Sequence, residues 1–110
     1  MQYNTIKNQT ELDQILNTNL GVLLYFSRQT CNVGEALEPK VIKLLEDKFP
    51  KIPFYYVDMD QTPDVAAKYS VFVEPTIIVA FDGKETIRKS RIISIPELED
   101  TIQRIYNIAF

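Results

Sequence analysis

Cys31 is the residue best placed for chemistry, because it is the only cysteine in the chain and stands at the start of a predicted helix. The apolar run Val22–Phe26 predicts a buried strand that leads through the polar segment 27–30 to this cysteine. Backbone N–H groups at a helix start stabilise an anion, which favours the nucleophilic thiolate form of a cysteine. The position therefore predicts a reactive thiol. The alternative is a structural cysteine that packs as a small apolar side chain.

Composition excludes several other classes of chemistry. The chain has 110 residues, 45% of them hydrophobic and 25% charged, which predicts one folded domain over residues 1–110. Its net charge of −3 argues against nucleic-acid binding. Without histidine there is no imidazole catalysis, and a single cysteine allows neither an internal disulfide nor a multi-thiolate zinc site. We expect no cofactor and no metal, with Asp58, Asp60 and Asp64 serving turns and helix caps.

The location expected from the sequence is the cytoplasm. The segment Met1–Asn4 has neither the basic nor the apolar character of a secretory signal. Apolar stretches such as Thr76–Phe81 are too short to span a bilayer, so no membrane association is predicted.

Hydrophobic patterns predict alternating helices and strands followed by a hairpin. Thr10 begins the first predicted helix, and a short strand near Tyr3–Ile6 is also considered. The remaining predicted elements are strand 22–26, helix 31–49, strand 54–58, helix 63–69, strands 76–81 and 84–89 around Asp82-Gly83, and a last helix capped by Ser94. This order implies an α/β fold with a mixed sheet and helices on both faces.

Six features in this order resemble the thioredoxin family across nearly the whole chain. They are Phe26 ending the first long strand, Cys31, Pro39 inside the following helix, Asp60-Gln61-Thr62-Pro63 with Ala66-Ala67-Lys68-Tyr69, Glu74-Pro75-Thr76, and Asp82-Gly83. The resemblance implies the thioredoxin fold, with Cys31 as the attacking cysteine. It also implies a cis peptide bond before Pro75.

The departures from the family pattern fall around the thiol. Gly34 stands in place of the second cysteine, so the motif is Cys-x-x-Gly. The other departures are Tyr25 and Tyr56 in place of a buried aspartate and its lysine neighbour, Ser27 and Thr30 in place of two tryptophans, and Arg91 where a glycine is usual. Without a second thiol, a mixed disulfide at Cys31 has no internal group to resolve it.

The resemblance leaves two functions open. The first is thiol–disulfide redox homeostasis by a monothiol protein that uses an external thiol as resolver; the second is a protein-binding module without turnover. A monothiol glutaredoxin is a weaker third, because its glycine-pair motif is absent. Partners would be proteins carrying a thiol or disulfide, or a low-molecular-weight thiol. The implied site has Cys31 as the catalytic residue and Thr30, Asn32, Val33, Gly34, Val73, Glu74, Pro75 and Arg91 as binding residues.

Arg28 and a basic group near the hairpin each have two interpretations. Arg28 either helps to stabilise the thiolate or is a solvated loop residue, and the second is favoured. Lys84, Arg88, Lys89 and Arg91 either bind an anionic partner or form a charged outer strand face that discourages aggregation, which is again favoured.

Overall fold

The computed structural model describes residues 4–110, and its elements follow the predicted order. They are α1 (Gln9–Thr18), β1 (Gly21–Ser27), α2 (Asn32–Lys48), β2 (Phe54–Asp58), α3 (Pro63–Lys68), β3 (Thr76–Phe81), β4 (Lys84–Ser90) and α4 (Ile95–Ala109). The α/β class with a hairpin after the alternating elements is confirmed.

The sheet has the strand order β2-β1-β3-β4. β1 runs parallel to β2 and antiparallel to β3, and β4 completes the hairpin. β1 is buried at every position, as expected for an apolar strand covered on both faces. Because the carboxyl ends of β1 and β2 lie at the same edge, the loops that follow them meet there.

Alternate residues of β1 point to opposite faces of the sheet. Leu23 and Tyr25 belong to the core cluster under α2 and α4, which includes Val41 and Leu98. Leu24 and Phe26 belong to the cluster under α1 and α3 with Leu12 and Val65. This alternation turns the Tyr25 side chain toward α2, the helix that Cys31 precedes.

The helix starts are only partly as predicted. Ser94 caps α4 by accepting a hydrogen bond from the Glu97 amide at 3.3 Å, which confirms the prediction there. The predicted start of α1 at Thr10 is wrong, because Asn8 is the cap and its side chain accepts from the Glu11 amide at 2.8 Å. Asparagine and threonine both cap helices, and the earlier residue takes the role.

In the segment before α1, the residues described from position 4 onward form an isolated bridge. Thr5 pairs in parallel with Tyr56, and Tyr3, which the predicted strand included, lies outside the described residues. The Asp82-Gly83 turn is confirmed, since both residues have positive φ values (54° and 75°), as a tight hairpin turn requires. Within residues 4–110, no helix is both long enough and apolar enough to cross a membrane.

Candidate functional site

Cys31 is the N-cap residue of α2. Its backbone is extended (φ −88°, ψ 102°), and its Sγ accepts a hydrogen bond from the Gly34 amide at 3.3 Å. The side chain is partly exposed. The sulfur therefore lies at the N-terminal end of α2, in contact with a backbone amide. Solvent and a reaction partner both have access to it.

An open cleft of about 490 Å³ lies beside the sulfur, and we call it the thiol cleft. The Glu74–Pro75 peptide bond in its wall is cis. The Pro75 carbonyl accepts from the Arg91 amide at 2.8 Å, which fixes the end of β4 against this wall. The cleft is lined by Thr30, Cys31, Val33, Glu74, Pro75, Arg91 and Ile92. Six of the sequence-predicted site residues therefore meet around one cavity.

The other three predicted site residues lie outside the thiol cleft. Gly34 is buried behind the sulfur, to which it donates its amide hydrogen. Val73 is half-buried, and its carbonyl accepts from the Thr76 hydroxyl at 2.7 Å. Asn32 lies in an adjoining groove of about 440 Å³, the α2 groove, lined by Asn32, Val33, Ala36, Leu37, Lys40, Arg91, Ile92 and Ile93.

Arg91 and Ile92 shape both cavities. Arg91 has φ 65°, in the left-handed region that favours glycine, which agrees with the glycine usual at this position in the resembling family. Ile92 is 97% exposed, and sequence reasoning missed it. The signal was a pair of isoleucines after β4, outside any helix or strand pattern, where solvent-facing residues are expected to be polar.

Arg28 is part of an ion-pair network and not a solvated loop residue. Its guanidinium forms ion pairs with Asp60 and with Glu74. Arg28 follows β1, Asp60 follows β2, and Glu74 precedes Pro75, so one side chain ties together three loops of the site. The favoured interpretation of Arg28 as a solvated loop residue is wrong, because its guanidinium is paired with two carboxylates from distant parts of the chain.

Three ionisable side chains are buried beneath the thiol. The Tyr25 hydroxyl donates to the Gly34 carbonyl at 2.5 Å. Burial, together with the charge of Glu38, raises the pKa of Tyr25 far above its usual value. Burial is also the main reason that the pKa of Tyr56 rises to about 12. Both phenols are therefore neutral at ordinary pH.

Glu38 is the buried acid that sequence reasoning missed. Only 5% of it is exposed, although it lies on α2 among residues that the pattern assigns to the surface. The charge of Glu38 contributes to the raised pKa values of both Tyr25 and Tyr56. The site thus holds a buried carboxylate on α2, while β1 carries a phenol.

Ser27 takes up the space beside Gly34. A Cβ atom built on Gly34 would lie 2.1 Å from Ser27 Oγ and 3.3 Å from Cys31 Sγ. A side chain at position 34 would point toward the sulfur, and the Ser27 hydroxyl blocks its first atom. Ser27 and Gly34, two of the departures from the family pattern, are therefore physically linked.

Asp58 stabilises the turn after β2, as the sequence suggested. Its buried carboxylate accepts from the amides of Asp60 at 2.9 Å and Gln61 at 3.2 Å. Across residues 4–110, no group of three or more histidine, cysteine or acidic side chains is arranged to hold a metal ion.

Comparison with known proteins identifies the family. The thioredoxin family model matches residues 4–104. The thioredoxin-like protein YdfQ of Bacillus subtilis is 32% identical over 85 residues, covering 77% of this chain and 75% of that protein. A thioredoxin of Mycoplasmoides gallisepticum is 32% identical over 98 residues, covering 89% and 97%.

Solved structures give the same result for the fold. The crystal structure of Fasciola hepatica thioredoxin matches with a TM-score of 0.82 and 32% identity, covering 92% of this chain and 97% of that one. The chain belongs to the thioredoxin family, a class of thiol redox proteins, and has the thioredoxin fold. Both predictions from the sequence are confirmed.

Proposed function

We propose that this protein performs thiol–disulfide exchange through Cys31 alone and that an external thiol completes the cycle. The observation that carries the proposal is the position of the sulfur. It accepts the Gly34 amide at the start of α2 and opens onto the thiol cleft beside Pro75. A thiolate in that position can attack a disulfide presented along the cleft wall.

The first step forms a mixed disulfide. The Cys31 thiolate attacks one sulfur of the partner's disulfide, a new S–S bond forms, and the old one breaks. The electron pair leaves with the second partner sulfur, which then takes a proton from solvent. The residues proposed to bind the partner around this bond are Thr30, Asn32, Val33, Val73, Glu74, Pro75 and Arg91. Gly34, buried behind the sulfur, is proposed to contribute by holding the sulfur through its amide.

The second step requires a thiol from outside the chain. Gly34 has no sulfur, and Cys31 is the sole cysteine in the sequence. An external thiolate attacks the partner's sulfur in the mixed disulfide. A new S–S bond joins the external thiol to the partner, and Cys31 leaves as a thiolate. A low-molecular-weight thiol such as glutathione suits the open cleft. The reducing cytoplasm, where such thiols are abundant, is the compartment we propose.

A protein-binding module without turnover is the second candidate. The observation that favours it is the exposed apolar surface at the thiol cleft, where Ile92 is 97% and Val33 60% exposed. Exposed apolar side chains clustered at a cleft are typical of protein contact sites. On this alternative the same face binds a partner and Cys31 only packs.

Release kinetics of a mixed disulfide test the single-thiol mechanism. The protein is first converted to a mixed disulfide between Cys31 and a fluorescent thiol and then separated from free reagent. We expect the adduct to persist in thiol-free buffer and to be released at a rate proportional to added glutathione, with an intercept near zero. A release rate independent of external thiol would show internal resolution and overturn the mechanism.

A further inference from the structure

The α2 groove continues the thiol cleft along one side of the helix. Val33, Arg91 and Ile92 line both cavities, so the two lie side by side on the surface. The floor beyond the cleft is apolar, since Leu37 and Ile93 pack there against the core. A partner segment that reaches the sulfur therefore has a path over α2.

The charged residues that line this groove are both cations. They are Lys40 on α2 and Arg91 after β4, and both are exposed. Within the described part of the chain, neither lies within ion-pair distance of a carboxylate, whereas Arg88 pairs with Glu85 and Lys89 with Glu97. Of the basic group predicted near the hairpin, Arg88 and Lys89 are paired, and Arg91 lies in the groove. Lys84, at the far end of β4, forms no ion pair with a described residue.

We propose that the α2 groove binds an extended segment of the partner protein that carries acidic and apolar side chains beside its disulfide cysteine. This inference rests on the proposed exchange at Cys31 and adds the substrate class. Carboxylates would pair with Lys40 and Arg91, while apolar side chains would cover Val33 and Ile92. The apolar floor favours a protein segment over a small polar thiol, which has nothing to place on it.

The whole-chain charge makes the proposal sharply testable. With a net charge of −3, long-range attraction alone would favour a basic partner. The groove favours an acidic one. Two synthetic peptides discriminate: each carries one cysteine as a pyridyl disulfide flanked by leucines, and by either aspartates or lysines. Attack of Cys31 on the peptide sulfur forms the mixed disulfide and expels thiopyridone, which is followed by its ultraviolet absorbance.

We expect the acidic peptide to react roughly tenfold faster than the basic one at low ionic strength. The difference should narrow at 1 M salt, where the screening length is about 3 Å. The double variant Lys40→Glu/Arg91→Glu should reverse the preference. Lys84→Glu is the matched control, because Lys84 is an exposed cation at the other end of β4. This variant should prefer the acidic peptide to the same extent as the wild type.

The outcomes separate the groove from the chemistry. If both peptides react equally fast, or if the basic one is faster, the groove inference is wrong while exchange at Cys31 stands. If neither peptide modifies Cys31, the proposed exchange fails. The groove is then tested with peptides in which serine replaces the cysteine. Their noncovalent affinity for the protein is measured by fluorescence anisotropy. Preference for the acidic peptide that Lys40→Glu/Arg91→Glu abolishes would support the groove, and no preference would overturn it.

Discussion

The hydroxyl of Ser27 fills the place that a side chain on Gly34 would need: a Cβ at position 34 would lie 2.1 Å from Ser27 Oγ. Real Cβ atoms do not approach a neighbour so closely, so one of the two groups must move. A second cysteine at this site therefore requires the Ser27 hydroxyl to move, and the two residues should show coupling in a double-mutant cycle.

Restoring the second cysteine alone should give little gain. The wild-type protein is expected to show almost no catalytic insulin reduction in a dithiol-driven assay, because it cannot resolve a mixed disulfide. We expect Gly34→Cys to remain weak, since Ser27 must rotate away, and Ser27→Ala/Gly34→Cys to be clearly faster. Ser27→Ala alone is the control and should stay inactive. Equal rates for the single and double cysteine variants would show that Ser27 imposes no barrier.

The fold was predictable from local signals, whereas the surroundings of the thiol depend on contacts between distant segments. Apolar runs, Asp82-Gly83 and the Ser94 cap define the elements through interactions a few residues apart. Arg28, by contrast, pairs with Asp60 and Glu74, 32 and 46 positions away along the sequence. No local pattern encodes such partners.

The burial of Glu38 was unpredictable for a related reason. A glutamate on a helix is normally exposed. Its burial follows from the face that α2 turns toward Tyr25 and Tyr56. That orientation is set only when the helix packs on the assembled sheet. The family resemblance, rather than any spacing rule, linked segments 30–34, 73–75 and 91. One cavity is lined by Thr30, Cys31, Val33, Glu74, Pro75 and Arg91.

Removing the Tyr25 hydroxyl should destabilise the protein. In Tyr25→Phe the Gly34 carbonyl loses its buried phenol donor at 2.5 Å. A lost buried hydrogen bond costs about 1–2 kcal/mol in the free energy of unfolding. The measurement is the urea unfolding midpoint. Tyr55→Phe is the control, because Tyr55 makes no side-chain hydrogen bond within the described residues and its variant should unfold near the wild-type midpoint.

Alkaline pH should destabilise the fold through its buried phenols. The pKa of Tyr56 is about 12 in the folded protein and that of Tyr25 is also raised, whereas an unfolded tyrosine has a pKa of about 10. Their contribution is complete below about pH 10 and is lost as pH rises toward about 12, because the unfolded chain then releases protons that the folded protein keeps.

The test compares the free energy of unfolding at about pH 8 and about pH 11 by urea titration. The wild type should lose more stability between the two than Tyr25→Phe/Tyr56→Phe, in which neither residue can ionise. All other titrating groups are the same in the two proteins, so the difference between their pH profiles gives the contribution of the two phenols. Parallel pH profiles for the two proteins would contradict the assignment.

The two ion pairs of Arg28 should hold the loops of the site together. We expect Arg28→Ala to lower the thermal midpoint, and the loss to shrink at high salt because the pairs are partly exposed. Arg28→Lys should recover only part of it, since a single ammonium cannot reproduce a fork that reaches two carboxylates. Lys43→Ala removes a simple pair within α2 and should have little effect. An equal effect of Arg28→Ala and Lys43→Ala would disprove the bridging role.

The most direct test of the central claim is the mass of the intact protein after treatment with oxidised glutathione. A reactive Cys31 with no second thiol should be trapped as a single glutathione adduct that persists until reducing thiol is added, and Cys31→Ser should remain unmodified. Alkylation of the native protein gives the matching readout of access to the sulfur. If Cys31 stays a free thiol and also resists alkylation in the folded protein, it is a structural cysteine, and single-thiol exchange is contradicted.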